Sequence, residues 1–119
     1  MERVKRVGII GAGNVGSTLA YILSATTPYQ IVLRDKDKDR ARGMLLDMFQ
    51  ASCVGENFAK LDVIASPKDL SGCDVIVIAA GSPRLPGMSR NDLLFANAKV
   101  ISEIAKDIRE NAPESIVIL

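Results

Sequence analysis

The chain has 119 residues, enough for one domain but too few for a cofactor domain and a substrate domain together. Hydrophobic residues make up 48% and charged residues 24%, proportions that exclude a disordered or collagen-like chain. With 15 Lys plus Arg against 14 Asp plus Glu, the net charge of +1 offers no field for a phosphate backbone, so no nucleic-acid partner is expected.

The opening residues pass directly into a short apolar run broken by Gly8, too short for a signal peptide core or a membrane span, so no membrane partner and a cytoplasmic location are expected. Val4 to Ile10 predicts a strand, Gly11-Ala12-Gly13-Asn14-Val15-Gly16 a turn, and Leu19, Ala20, Ile22 and Leu23 the apolar face of a helix. Gln30 to Arg34 predicts a second strand closed by Asp35. The charged stretch from Lys36 to Arg42 then opens a second helix carrying Met44, Leu45, Met48 and Phe49. Within that stretch Asp37, Lys38, Asp39 and Arg40 read as an exposed helix start.

Leu61 to Ala65 predicts a third strand. Asp74 to Ala80 is so continuously apolar that both its faces are expected to be covered, as in a central parallel strand. Two prolines and two glycines make Gly81 to Met88 a loop at the carboxyl end of that strand. Helix resumes at Ser89, where Asp92 three residues on completes a capping box. Leu93, Leu94, Ala98, Ile101, Ile104, Ala105 and Ile108 supply its expected buried stripe, and Pro113 follows its end. Ser115 to Leu119 predicts a fifth strand. Strand and helix alternate throughout, so right-handed crossovers give an α/β, Rossmann-type, doubly wound parallel sheet in order 3-2-1-4-5 with helices on both faces.

Gly11, Gly13 and Gly16 follow a strand and open a helix. There the first permits the turn, the second lets backbone approach a pyrophosphate, and the third allows close helix-to-strand packing. The helix start adds free N–H groups and about half a positive charge. A tight structural turn is the alternative; a P-loop is excluded because no Lys-Ser or Lys-Thr follows. Asp35 lies 19 residues beyond Gly16, where a carboxylate accepts from the adenosine ribose hydroxyls and disfavours a 2′-phosphate, a repulsion that Arg34 and Lys36 partly offset. A solvated turn carboxylate is the alternative. Arg84 and Arg90, on the loop expected to face the crevice at the strand ends, suit bidentate pairing with an anionic substrate, or else are solvated surface charge. Cys53 and Cys73 have no CxxC spacing and the chain contains no histidine, so reduced structural thiols and no metal site are expected, and no Ser-His or Cys-His nucleophile exists in the chain.

Four segments carry a family resemblance: Gly11 to Gly16, Asp35, Gly43-Met44-Leu45-Leu46-Asp47-Met48, and Ala80-Gly81-Ser82-Pro83-Arg84-Leu85-Pro86-Gly87-Met88-Ser89-Arg90. Together they resemble the lactate/malate dehydrogenase superfamily, above all its lactate-dehydrogenase-like malate dehydrogenases. The resemblance spans nearly the whole chain, and the Ala80 to Arg90 segment is its most specific part. It implies NAD as cofactor, with Gly11, Ala12, Gly13, Asn14, Val15 and Gly16 at the pyrophosphate, Asp35 at the ribose, and Asn97 contacting cofactor from the last helix. It implies Arg84 at the substrate-specificity position, where arginine goes with the second carboxylate of malate and glutamine with the methyl of lactate. It implies Arg90 on a closing loop, polarising the reacting carbonyl.

The resemblance further implies a homo-oligomeric oxidoreductase of the tricarboxylic acid cycle acting on a small dicarboxylate. Arg34 stands where the family usually carries an apolar residue, and Leu85 where a basic one is common. Residues 1–119 are expected to be the NAD-binding domain alone, ending before the family's Asp-His pair and second carboxylate-binding arginine, and hence inactive in isolation. A lactate or relaxed 2-hydroxy-acid dehydrogenase is the alternative within the enzymes; a non-catalytic NAD-binding module is the alternative outside them. The Leu45 to Phe49 helix is apolar enough to meet a partner or to be simply core.

Overall fold

The computed structural model describes residues 5–52, 61–81 and 84–119, and of residues 45 and 48–52 the backbone alone. Five parallel strands form one sheet: β1 (Arg6–Ile10), β2 (Gln30–Arg34), β3 (Leu61–Val63), β4 (Val75–Ile78) and β5 (Ile116–Ile118). Their order is β3-β2-β1-β4-β5, the doubly wound arrangement that the alternation of elements predicts. Helices α1 (Asn14–Thr26), α2 (Lys38–Ser52) and α3 (Arg90–Asn111) fill the crossovers, with a 3-10 turn at Pro67–Leu70 between β3 and β4.

The pleat divides the core into two layers. Val7, Ile9, Ile31 and Leu33 project to one side, where Ala20 of α1 and Ala41 of α2 bring those helices onto the sheet. Ile10, Val32, Ile76 and Ile78 project to the other side, beneath Ile104 and Ile108 of α3 and Leu70 of the 3-10 turn. The register Val7↔Ile31 and Val7↔Val75 holds β1 at the centre, where its last four residues are all buried.

The apolar run of β4 is buried on one face and half-buried on the other. Ile76 and Ile78 are buried, whereas Val75 and Val77 are half-buried and β5 is exposed at all three of its positions. On that face α1 and α2 lie over β1, β2 and β3, and among the described residues no helix lies over β4 and β5. Of the two faces expected to be covered, the described residues bury one and cover the other in part.

The buried stripe of α3 is also shorter than its periodicity predicts. Ile104 and Ile108 are buried, with Val100 and Ile101 packed against them, but Leu94 is 65% exposed and Ala98 and Ala105 are exposed too. Length explains Leu94 and Ala98, whereas Ala105, between buried Ile104 and Ile108, lines a shallow pocket with Val117 of the exposed β5. The 22 residues of α3 rise about 33 Å while the four of β4 span about 13 Å, so the first turns of the helix extend beyond the sheet they would need beneath them. Its start follows the expected capping box: Ser89 Oγ accepts from the Asp92 amide and Asp92 Oδ2 from the Ser89 amide, each at 3.1 Å.

Cys73 is a buried free thiol. Burial pushes its pKa up, the neighbouring Arg6 charge pulls it part of the way back, and Asp74 adds to the rise, so the group is held as the thiol that a structural role requires. Cys53, and the side chains of Leu45, Met48 and Phe49 on the helix expected to meet a partner, lie outside the described residues.

Candidate functional site: a crevice at the carboxyl ends of β1 and β4

The chain leaves β1 through a turn that only glycine permits. Gly11 sits at φ +111°, in the region that L side chains avoid, and a Cβ there would stand 2.7 Å from the Ala80 nitrogen and 2.8 Å from the Ala79 carbonyl carbon. Gly16, one turn into α1, is closer still to its neighbour: a Cβ would lie 1.8 Å from the Gly11 carbonyl oxygen. The helix start is thereby drawn against the ends of β1 and β4.

At Gly13, the N-cap of α1, no side chain caps the helix and its first turn carries no acidic residue. A Cβ at Gly13 would meet Arg40 Nη2 at 2.9 Å and nothing else within reach. An uncapped, positively polarised helix start with the Arg40 guanidinium beside it fits the pyrophosphate of a dinucleotide. Asn14 and Val15 are exposed at this helix start, while Ala12 is fully buried beside it.

Asp35 closes the site from β2. Its Oδ2 accepts from the Ala12 amide at 2.6 Å and its Oδ1 from the Asp37 amide at 2.9 Å. The carboxylate thus braces the glycine turn as well as facing the crevice, and Ala12, expected at the pyrophosphate, spends its amide on Asp35. Arg40 is exposed at the helix start, as expected, and makes a contact beyond that expectation: its Nε donates to the Ala12 carbonyl at 3.1 Å, from a helix whose first turn is capped by Asp37 Oδ1 accepting from the Arg40 amide. No local pattern predicts that reach across 28 positions.

These groups enclose a crevice of about 510 Å³, within the range of small-molecule sites. Gly11, Gly13, Ala79, Ala80 and Gly81 form its floor. Arg34, Asp35, Lys36, Lys38 and Arg40 form one side, and Val100, Glu103, Ile104 and Asp107 of α3 the other. It lies where the sheet order reverses between β1 and β4, the position at which open α/β sheets bind ligands.

The remaining candidates stand apart from its walls. Asn97 packs its Oδ1 3.4 Å from where a Gly81 Cβ would lie, which sets it at the edge of the floor. Arg84 and Arg90 are exposed, on the loop after β4 and at the first residue of α3, and neither lines the crevice they were expected to face. Their loop turns back on itself instead. The Met88 amide donates to the Leu85 carbonyl across the Pro86-Gly87 corner, and Arg84 Nε donates to the Met88 carbonyl at 3.4 Å. Residues 82 and 83 of this loop lie outside the described residues. No cluster of His, Cys, Asp and Glu suited to a metal occurs among the described residues, and no helix among them is long and apolar enough to cross a membrane.

The family model for the lactate/malate dehydrogenase NAD binding domain matches residues 5–119. The chain belongs to this family. It is 46% identical over 120 residues to malate dehydrogenase of Sulfurimonas denitrificans, with 100% of this chain and 38% of that protein covered. Among solved structures, malate dehydrogenase of Archaeoglobus fulgidus in complex with NADH matches with TM-score 0.85 and 40% identity, covering 94% of this chain and 38% of that one. Lactate dehydrogenase of Cryptosporidium parvum, complexed with lactic acid and nicotinamide adenine dinucleotide, matches with TM-score 0.86 and 28% identity over 98% of this chain and 37% of that one. The domain is a Rossmann-like NAD-binding domain of an oxidoreductase family, and it spans less than two fifths of the length of these relatives.

Proposed function

We propose that this domain holds NAD across the ends of β1 and β4 and serves a malate dehydrogenase that interconverts malate and oxaloacetate. The observation that carries the cofactor half is the Asp35 carboxylate, tied to the glycine turn at 2.6 Å beside an uncapped helix start. The α1 amides would meet the pyrophosphate, Asp35 the ribose hydroxyls, and Asn97 the part of the cofactor over Gly81. When bound, NAD supplies the acceptor for the substrate's hydride.

Arg84 carries the malate half. It is the arginine of the Ala80 to Arg90 segment, and a guanidinium there is suited to a second carboxylate, while Arg90 is suited to polarise the reacting carbonyl. A lactate or relaxed 2-hydroxy-acid dehydrogenase is the second reading, favoured by the likeness to the Cryptosporidium parvum enzyme and opposed by Arg84. That residues 1–119 are the cofactor domain of a longer enzyme, and that this enzyme is cytoplasmic, homo-oligomeric and part of the tricarboxylic acid cycle without nucleic-acid or membrane partners, are proposed from the sequence and the resemblance.

Calorimetric titration of the chain with NAD and NADP tests the cofactor site. NAD is expected to bind more tightly than NADP. Asp35→Ala is expected to weaken NAD about tenfold or more, the worth of a hydrogen bond to a charged group, and to weaken NADP less, since it also removes a repelling charge. Unchanged affinities for both would leave Asp35 as a turn residue only.

A further inference from the structure

Arg34 stands beside Asp35 where the adenosine ribose is read, and taken alone it argues against selection of NAD. A guanidinium at the end of β2 is the kind of group that attracts a 2′-phosphate. In the structure it is already engaged. Arg34 Nη1 donates to Asp107 Oδ2 at 2.9 Å across the crevice from α3, with the two side chains only 23% and 29% exposed. Both residues line the same crevice as Asp35.

We propose that Asp107 is a positioning residue of the cofactor site: by pairing with Arg34 it keeps that guanidinium from a 2′-phosphate and so joins Asp35 in selecting NAD over NADP. The inference rests on the dinucleotide reading of the crevice. Two physical effects act in the same direction. The pair directs the guanidinium toward α3, and the Asp107 charge offsets the field of Arg34 in a wall that also carries Lys36, Lys38 and Arg40. A ribose bearing two hydroxyls is indifferent to that balance, whereas a phosphomonoester of nearly two negative charges is not. Without the carboxylate of Asp107, Arg34 becomes an uncommitted cation within the pocket that receives the 2′ position.

The test is titration of the chain and its variants with NAD, NADP and 2′,5′-ADP, the last carrying the 2′-phosphate without the nicotinamide half. Asp107→Asn and Asp107→Ala are each expected to raise the ratio of NADP to NAD affinity about five- to tenfold, an effect of about 1 to 1.4 kcal/mol. They should raise 2′,5′-ADP affinity in step and steepen its decline with salt. Asp107→Glu should restore the wild-type ratio, and Arg34→Gln combined with Asp107→Asn should abolish the gain. Circular dichroism establishes that each variant is folded. A ratio that stays within a factor of two in folded Asp107 variants, or a gain that survives removal of Arg34, overturns the proposal while NAD binding stands. Absence of NAD binding to the wild-type chain overturns the site itself and this inference with it.

Discussion

Gly16→Ala is expected to destabilise the chain by on the order of 3 to 5 kcal/mol, a large part of the roughly 5 to 15 kcal/mol that holds a domain of this size together. The contact at fault is backbone on backbone. A Cβ at residue 16 would lie 1.8 Å from the Gly11 carbonyl oxygen, and Gly11 cannot yield because its own Cα already faces the Ala79 and Ala80 backbone. Relief would require α1 to lift from the ends of β1 and β4, opening the layer in which Ala20 packs against Ile9 and Ile31. Urea or thermal unfolding followed by circular dichroism measures the loss, and NAD binding should fall with it because the same movement displaces the helix start. Gly43→Ala is the internal comparison. It sits exposed within α2 with nothing within 4 Å of its would-be Cβ, so alanine there should be neutral or stabilising by about 0.5 to 1 kcal/mol through helix propensity. A Gly16→Ala chain that unfolds within a few degrees of wild type would show that the helix does not depend on this approach.

The three glycines illustrate what was legible in the sequence. Their spacing after an apolar strand predicts a turn, a phosphate cradle and a packing contact, and the turn and the contact are what the positive φ of Gly11 and the 1.8 Å approach of a Gly16 Cβ to the Gly11 carbonyl oxygen require. Strand order followed from the alternation of elements because crossover handedness leaves few alternatives. What stayed hidden depends on distance along the chain or on where one element ends over another. Arg34 and Asp107 are 73 positions apart, so the pairing that accommodates an arginine at the end of an apolar strand has no local signature. Arg40 reads as surface charge until the Ala12 carbonyl is seen beside it. Leu94 and Ala98 keep helical spacing with Ile101 and Ile108, but spacing identifies a face and not how far along the helix the sheet continues. The position of Asp35 after β2 suggests a ribose acceptor, and its contact with the Ala12 amide, 23 positions away, has no local signature.

In a full-length enzyme built on this domain, Arg84→Gln is expected to lower kcat/KM for oxaloacetate by on the order of 2 to 5 kcal/mol of lost transition-state binding, the cost of breaking a desolvated charge pair. Here Arg84 is exposed and, among the described residues, its Nε donates at 3.4 Å to the Met88 carbonyl, so a carboxylate arriving at this exposed charge would gain little. The gain requires closure of the loop between β4 and α3. Once water is excluded, the distal carboxylate of oxaloacetate without a partner is expensive, and a bidentate guanidinium satisfies it. Pyruvate presents a methyl group instead and leaves Arg84 as an uncompensated charge in the closed site, so replacing it by glutamine should raise pyruvate reduction relative to oxaloacetate. Arg90→Gln should behave differently, depressing kcat for either acid, because polarising the reacting carbonyl is required whatever the rest of the substrate carries. Steady-state kinetics with both acids separates the two arginines. If Arg84→Gln leaves the oxaloacetate-to-pyruvate ratio within about a factor of two, below roughly 0.5 kcal/mol, Arg84 does not read the second carboxylate and the choice of malate over lactate loses its main support.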